Sequence, residues 1–425
     1  MRKLVAVALL LSAAFASAQT RPAPKQEAGQ LRFSLILSRH GIRPPLAPTA
    51  MLNPRSAAPW PEWEVPLGYL TPHGADAIRQ MGAYLRANMA ADGLMSATGC
   101  PDAEAIYLYS DTDERNIMSS FHTFAGFEPE CAPRSIHTVP PKTARDPLFS
   151  PFPAITAPSA EATAADRRAY MGEELSTYGS LKSNPEIAEL ARILAPDPQH
   201  PAAKPVTAES VPLSVAPTLI EDIFLEYIDA KPMDQVGWGR VDAAALHRLM
   251  AVHAKGFALH ARPPLAARSH GSNLMAHMLT TLEQATGNTS VPGAIGPNSA
   301  RVVYISGHDT NLFNIAGLLH LNWTAEGIAN DTPPDSHLVF ELWQNLRSKQ
   351  YSVRLLYRAQ TFEQLRSAEA LTAKNNPIEV ELVAPGCTKA GPCPFAAFDK
   401  ATHGLIDPAF TMPEMPSLQV TPANF

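Results

Sequence analysis

Three short apolar segments of this 425-residue chain end in the same way, and this shared ending constrains the fold more than any other feature of the sequence. Each segment has the length and the β-branched or aromatic content of a buried strand, and each ends in a small polar residue followed by charged or histidine side chains. The segments are Phe33–Ser38, followed by Arg39-His40-Gly41; Ala105–Ser110, followed by Asp111-Thr112-Asp113-Glu114-Arg115; and Arg301–Ser306, followed by Gly307-His308-Asp309.

Helical patterns lie between these strands, for example over residues 74–89 and 269–286. Strands that alternate with helices predict an α/β fold in which a largely parallel sheet is flanked by helices. In such sheets ligands bind outside the carboxyl ends of the strands. The three polar clusters should therefore meet at one edge of the sheet and form a site there.

The middle of the chain, residues 151–265, has a different pattern. It is rich in Ala, Leu and Glu, with amphipathic helical stretches at 160–181, 185–194, 217–230 and 241–260. We interpret it as a smaller, mostly helical domain that is inserted into the α/β domain and roofs the site. The α/β domain would then comprise residues 31–150 and 266–425.

The first residues have the layout of a secretory signal peptide. Arg2 and Lys3 precede the apolar run Leu4–Phe15, and Ala16-Ser17-Ala18 supplies small residues for cleavage. A membrane anchor or a buried helix is the alternative, but the run is too short to span a bilayer comfortably. We expect a signal peptide over 1–18, a flexible leader over 19–30, and a periplasmic or secreted protein without a membrane segment after cleavage.

Export changes the interpretation of the four cysteines, Cys100, Cys131, Cys387 and Cys393. An even number of cysteines in an oxidising compartment predicts disulfides. Three pairings are possible, and proximity in the sequence favours Cys100 with Cys131 and Cys387 with Cys393. A zinc site is the alternative, but no Cys-x2-Cys pair with partner histidines accompanies these residues.

The segment Arg39-His40-Gly41-Ile42-Arg43-Pro44-Pro45 carries the sharpest chemical signal. Guanidinium groups match phosphate oxygens bidentately, and a histidine nitrogen between two of them is placed to attack phosphorus. A merely solvated basic loop is the alternative, which would suffice if Arg43 stood alone. The net charge of −6 argues against a general nucleic-acid binder, so we expect a small phosphate-bearing ligand and no nucleic acid.

These motifs resemble those of a known family. The pattern Arg-His-Gly-x-Arg-x-Pro is similar to the signature of the histidine phosphatases, and Gly307-His308-Asp309-Thr310-Asn311 resembles their late His-Asp element. Arg115, after an acidic run, resembles a further arginine of the family. The resemblance runs in order from about residue 31 to beyond residue 400, and it is closest to the bacterial branch with periplasmic phytases and glucose-1-phosphatases.

The resemblance implies an acid phosphatase that hydrolyses phosphomonoesters, sugar phosphates or phytate, through a phosphohistidine intermediate. His40 would be the nucleophile and Asp309 the proton donor. The phosphoryl oxygens would be held by Arg39, Arg43, Arg115 and His308. The cysteine pairs 100–131 and 387–393 also resemble disulfides of that branch. No cofactor is implied, and we expect no metal, because the arginines supply the positive charge and no further ligand motif accompanies His308 and Asp309.

Alternatives remain at the level of activity. An exported phosphoester-binding protein without catalysis would need a broken nucleophile or acid, whereas His40 and Asp309 are both present. A phosphomutase of the same superfamily conflicts with export and disulfides.

We expect a monomer, with His73 near a helix N-terminus at the mouth of the site and His270 at the start of a helix.

The substrate is less constrained. Residues 309–311 resemble the phytase version of the late motif, whereas 232–238 look more like the glucose-1-phosphatase version. After Pro45 many phytases of this branch carry Thr-Lys, but this chain has Leu46-Ala47. These two apolar residues favour a broad phosphomonoesterase that hydrolyses sugar monophosphates well and phytate less efficiently than a dedicated phytase.

Overall fold

A computed structural model describes residues 29–53, 56, 58–140, 145–172, 185–195, 215–287 and 289–421. Its centre is a nine-stranded mixed sheet in the order β10-β8-β7-β1-β4-β2-β3-β11, with β9 paired to β8. The sheet strands are β1 (Gly29–Arg39), β2 (Ile106–Ser110), β3 (Ile136–Thr138), β4 (Val302–Gly307), β7 (His337–Asn345), β8 (Tyr351–Ala359), β9 (Ile378–Leu382), β10 (Cys393–Pro394) and β11 (Gln419–Thr421). A small separate hairpin pairs β5 (Thr324–Ala325) with β6 (Ile328–Ala329).

The three apolar segments singled out in the sequence are β1, β2 and β4, and they lie side by side in parallel. Arg39 is in register with Gly307, and Ser110 is in register with Ser306. Their carboxyl ends therefore meet at one edge, as predicted. β7 and β8 extend the sheet on the other side of β1 in antiparallel pairing, which makes the whole sheet mixed.

Helices cover both faces of the sheet. Within the described residues they are α1 (Thr49–Leu52), α2 (Pro72–Ala91), α3 (Glu114–Phe127), α4 (Ala160–Met171), α5 (Pro185–Leu194), α6 (Ala216–Ile228), α7 (Ala243–Ala261), α8 (Pro264–Gly287), α9 (Asp309–Leu318), α10 (Phe362–Ser367) and α11 (Phe395–Leu405). Successive residues of β1 point to opposite faces. Leu35 and Leu37 pack with residues of α8 and α9, whereas Ile36 packs with residues of α2 and α3. The strand is apolar on both sides because both sides are covered.

The middle of the chain is mostly helical where it is described. The stretch predicted at 185–194 is α5, those at 217–230 and 241–260 correspond to α6 and α7, and α4 covers the first part of 160–181. Residues 173–184 and 196–214 lie outside the described residues. α5, α6 and α7 share a separate hydrophobic cluster, to which Ile42 from the β1 side also contributes. A division into two domains remains a prediction.

The ends of the chain add three observations. The predicted signal peptide, 1–18, lies outside the described residues, and β1 begins at Gly29, so residues 29–30 of the predicted leader belong to the strand. Disulfides join Cys100 to Cys131 and Cys387 to Cys393, which confirms the pairing favoured by proximity. In the described part of the chain, no helix combines the length and the apolar character needed to cross a bilayer.

Candidate active site

The carboxyl ends of β1, β2 and β4 hold their polar residues together through backbone hydrogen bonds. The amide of His40 donates to the carbonyl of Gly307 (3.0 Å), and the amide of Asp111 donates to the carbonyl of Ser306 (3.0 Å). Asn116 of α3 also donates a side-chain hydrogen bond to the Gly307 carbonyl (2.7 Å). All six residues predicted to act on a phosphoryl group lie around this edge of the sheet.

His40 is buried, and its surroundings set both its tautomer and its charge. Its Nδ1 lies 2.8 Å from the carbonyl oxygen of Gly41. Since a carbonyl only accepts, Nδ1 carries the proton and Nε2 carries the free lone pair. Burial, followed by the positive charges of Arg115, Arg39 and Arg43, lowers the pKa of His40 well below its usual value. The environment therefore favours the neutral imidazole, with its free lone pair on Nε2.

The backbone at Gly41 passes close to α2. A Cβ atom at this position would lie 2.8 Å from Cδ1 of Leu70 and nearer still to Ile78. The Gly41 amide donates to Oγ of Ser119 (3.0 Å), which in turn donates to the carbonyl of Arg115 (2.6 Å). A side chain here would require Ile78 and Leu70 to move, and Ser119 ties the His40 loop to α3.

Arg39 and Arg43 are joined by a carboxylate that comes from the helical middle of the chain. Glu221 of α6 accepts from Arg39 Nη2 through one oxygen and from Arg43 Nη2 through the other, the latter at 3.2 Å. Burial alone would raise the pKa of Glu221. The positive charges of Arg43 and Arg39 outweigh this effect and hold the pKa of the carboxyl group far below its ordinary range. Glu221 thus fixes both guanidinium groups while it is ionised.

Arg115 is the second residue of α3 and completes a group of three arginines. Its guanidinium donates to the carbonyl of Gly68 (3.3 Å) and pairs with Asp113 (2.6 Å). The Nε atoms of Arg39, Arg43 and Arg115 are each buried without a hydrogen-bond partner among the described residues. These three N–H groups are donors that a phosphoryl group could satisfy.

His308 precedes α9, the helix that follows β4. Its Nε2 lies 2.7 Å from Oδ2 of Asp111, and its ring stands edge-on to that of His40 with 5.5 Å between centroids. The amide of His308 donates to Oδ1 of Asn311 (2.9 Å). The N-terminus of α9 faces the same site, where its dipole favours an anion.

Asp309 is the first residue of α9 and is mostly buried. Its Oδ1 accepts from the amide of Thr310 (2.6 Å), and its Oδ2 lies 3.2 Å from Nη2 of Arg39. This contact holds the carboxyl group beside the arginine that precedes His40.

Two acidic side chains of the site were missed at the sequence level. Asp111 was seen only as part of an acidic run, although it is the first residue after the end of β2. Glu221 and Asp222 are adjacent acids between apolar residues of α6, and acidic side chains at such buried positions are the signal that could have identified Glu221. The possible metal-ligand atoms of three residues also lie within 4.8 Å of one another, in Asp111, Asp113 and His308. The positive charge of Arg115 is paired with Asp113, and it would repel a metal ion at this position.

The two histidines of undecided role are both structural contacts. His73 Nε2 bonds to the carbonyl of Leu365 (2.8 Å), and the ring of His270 packs edge-on against Phe152. α8 begins at Pro264, so the expectation that His270 starts a helix is wrong: the helix begins six residues earlier, where Pro264 suits a first turn.

Comparison with known proteins places this arrangement in a family. The sequence profile of the histidine phosphatase superfamily (branch 2) matches residues 30–358. Phytase AppA of Escherichia coli is 32% identical over 93% of this chain and 96% of its own length, and a glucose-1-phosphatase of Salmonella typhimurium is 28% identical over 94% and 97%. The structure of a Hafnia alvei phytase in complex with myo-inositol hexakis sulphate superposes with a TM-score of 0.79 at 30% identity, covering 92% of this chain and all of that one.

Proposed function

We propose a residue-by-residue mechanism for this chain, which belongs to branch 2 of the histidine phosphatase superfamily and is a phosphomonoester hydrolase. Nε2 of His40 attacks the phosphorus atom and the alcohol leaves, so that a phosphohistidine forms; water then attacks this intermediate and releases phosphate. The observation that carries the assignment is the Nδ1–Gly41 hydrogen bond, which leaves the lone pair on Nε2.

The arginines stabilise the charge on the transferring group. Arg39, Arg43 and Arg115 surround His40 closely enough to depress its pKa, so they also surround any phosphoryl group bound to it. Positively charged donors that are already oriented cost little reorganisation when charge develops on the equatorial oxygens. Glu221 orients two of these donors and is therefore a positioning residue. Nε2 of His308 lies against Asp111, so His308 adds a further donor when both of its ring nitrogens carry a proton.

Asp309 acts on the leaving group. In the first step it gives a proton to the departing alkoxide, and in the second it accepts one from the attacking water. Its contact with Arg39 at 3.2 Å keeps the carboxyl beside the phosphoryl site.

Trapping of the intermediate tests this mechanism. Rapid acid-free quenching of the enzyme with radiolabelled substrate should yield label that is stable to base and labile to acid, on a peptide that contains His40. His40→Ala should carry no label and show no turnover while its circular dichroism is unchanged. His320→Asn, at an exposed histidine, is the matched control and should label normally. Label on a serine or a carboxylate would remove His40 from the role of nucleophile.

The preferred substrate is a sugar monophosphate rather than phytate. Leu46 is 56% exposed. It lies beside Gly68, which also borders Arg115. An apolar side chain therefore lies near the guanidinium group that would bind the phosphoryl oxygens. Phytate carries many phosphates, so additional cations in the site would strengthen its binding. Arg79 is paired with Asp76 and contacts His122, and Arg55 lies outside the described residues.

The ratio of kcat/KM for glucose 1-phosphate and for phytate tests the substrate preference. A ratio above one supports it, whereas a tenfold preference for phytate overturns it without affecting the mechanism. The two disulfides and the signal-like N-terminus support a periplasmic or secreted location, and we expect the enzyme to act as a monomer.

A further inference from the structure

A second group of metal-ligating side chains lies between α8 and α11. Asp399 and His403 are one turn apart on α11, and Glu283 extends from α8. Nε2 of His403 lies 2.8 Å from Oε1 of Glu283 and 3.5 Å from Oδ1 of Asp399. The possible ligand atoms of the three residues all lie within 4.8 Å of one another.

The position of α11 is fixed by its neighbours in sequence and space. Phe398 and Thr402, adjacent to the two ligating residues, are fully buried, and Phe398 packs near Phe340 of the sheet. The Cys387–Cys393 disulfide lies just before the helix. With one face of α11 held against the sheet, Asp399 and His403 are held facing α8.

The hydrogen bonding of this cluster is incomplete. A single imidazole nitrogen faces two carboxylates and can donate to only one at a time. Oδ1 of Asp399 is itself buried and makes no hydrogen bond within the described residues that is shorter than its 3.5 Å contact with His403. Two carboxylates beside one histidine leave acceptor atoms that either water or a cation can satisfy.

The distances suit a small ion. In tetrahedral zinc sites ligand atoms lie about 2.0–2.2 Å from the metal and hence roughly 3.4 Å from each other. The His403–Asp399 separation already has this value. The His403–Glu283 contact would open by about 0.6 Å on this geometry, and both side chains are partly exposed, at 58% and 32%, so they can move apart.

We propose that Glu283, Asp399 and His403 bind a divalent transition-metal ion, with water at the open position. One imidazole and two carboxylates are a ligand set suited to zinc and its neighbours in the first transition series. The bound ion would link α8 to α11. It would stabilise the folded chain by binding the native state and takes no part in phosphoryl transfer.

Zinc binding by the whole folded protein tests the proposal. Equilibrium dialysis against Zn²⁺ at pH 7.5, followed by elemental analysis, should show one ion per chain that is lost in His403→Gln and bound at least tenfold more weakly in Glu283→Gln. Because Asp111, Asp113 and His308 could hold a separate ion, His308→Gln is measured in parallel and should retain the ion at α8 and α11. Zinc lost only in His308→Gln, or in none of the variants, would overturn the proposal.

Thermal unfolding gives an independent readout. Zn²⁺ should raise the Tm of the wild type and of His320→Asn, but not that of His403→Gln, and a chelator should reverse the shift. The effect should weaken as the pH is lowered, because metal binding releases protons. If Zn²⁺ leaves the Tm of the wild type unchanged while His403→Gln has a lower Tm, the three residues form a hydrogen-bonded cluster without a metal ion and the proposal is wrong. Unchanged phosphatase activity in His403→Gln would show that this variant is folded.

Discussion

Oε2 of Glu221 lies 3.2 Å from the guanidinium of Arg43, and this contact connects the helical middle of the chain to the candidate site at the edge of the sheet. The other oxygen of the same carboxylate holds Arg39. In the absence of substrate Glu221 supplies the negative charge that a phosphoryl group brings when it binds. The protein can therefore keep two arginines buried side by side without phosphate.

Glu221→Gln should destabilise the free enzyme and lower kcat/KM. Removing one partner of a buried ion pair typically costs about 3–5 kcal/mol, because the remaining charges stay buried. Inorganic phosphate should restore more stability to this variant than to the wild type, since the ion replaces the lost charge. Thermal unfolding with and without phosphate measures both effects, with Glu161→Gln, an exposed acid of α4, as control. An equal phosphate shift in both proteins would contradict the role assigned to Glu221.

Arg115→Gln should move the acidic limb of the pH profile of kcat/KM to higher pH. After burial, the charge of Arg115 is the largest cause of the low pKa of His40, so its removal lets the imidazole protonate more easily. In the wild type this limb should lie well below pH 6.5, because only the neutral ring attacks. Arg134→Gln, on the surface and paired with Glu104, should leave the limb in place. A limb that does not move in Arg115→Gln would show that another group titrates there.

Asp309→Asn should slow substrates with poor leaving groups far more than aryl phosphates. A phenolate leaves without a proton, whereas a sugar alkoxide requires one, and general acid catalysis is typically worth about 10²–10⁴. Steady-state rates on glucose 1-phosphate and on p-nitrophenyl phosphate give the comparison, and the aryl substrate serves as internal control. Similar losses on the two substrates would exclude Asp309 as the acid.

Glu226→Gln should stabilise the protein at neutral and alkaline pH but not near pH 4. Burial, followed by the nearby charge of Asp222, raises the pKa of Glu226 to about 8, against about 4.3 in an unfolded chain. The unfolded state therefore loses this proton first, and stability falls as pH rises from about 4.3 through 8. The glutamine variant lacks this loss and can still accept from the amide of Gly237.

Chemical denaturation at pH 4 and pH 8 measures the difference for Glu226→Gln. The gain should appear at pH 8 alone, and Glu161→Gln should show none at either pH. A gain of equal size at both pH values would indicate a packing effect rather than ionisation.

Replacing Leu46-Ala47 by Thr-Lys should raise kcat/KM for phytate more than for glucose 1-phosphate. A charge-assisted contact to phosphate is worth about 1.5–3 kcal/mol, which corresponds to roughly ten- to a hundredfold. Ala47→Gln, which adds length without charge, is the control and should leave the ratio unchanged. Equal gains on both substrates would show that position 47 does not contact the additional phosphates.

The sequence by itself determined the sheet core, the catalytic edge and the chemical class of the site. β1, β2 and β4 could be predicted because strands buried on both faces are apolar throughout and end abruptly in polar residues. The residues of the motif around His40 are neighbours in the sequence, so they could be recognised together. The disulfides followed from export and proximity.

The tertiary structure alone decided what holds these groups in place. Glu221 is 178 residues away from Arg43 in the chain, and Asp111 is 197 residues away from His308; no local pattern links either pair. The hydrogen bond that sets the tautomer of His40 and the burial that lowers its pKa likewise depend on packing. Charge and local periodicity are properties of the sequence, whereas desolvation and contacts between distant segments exist only once the chain is folded.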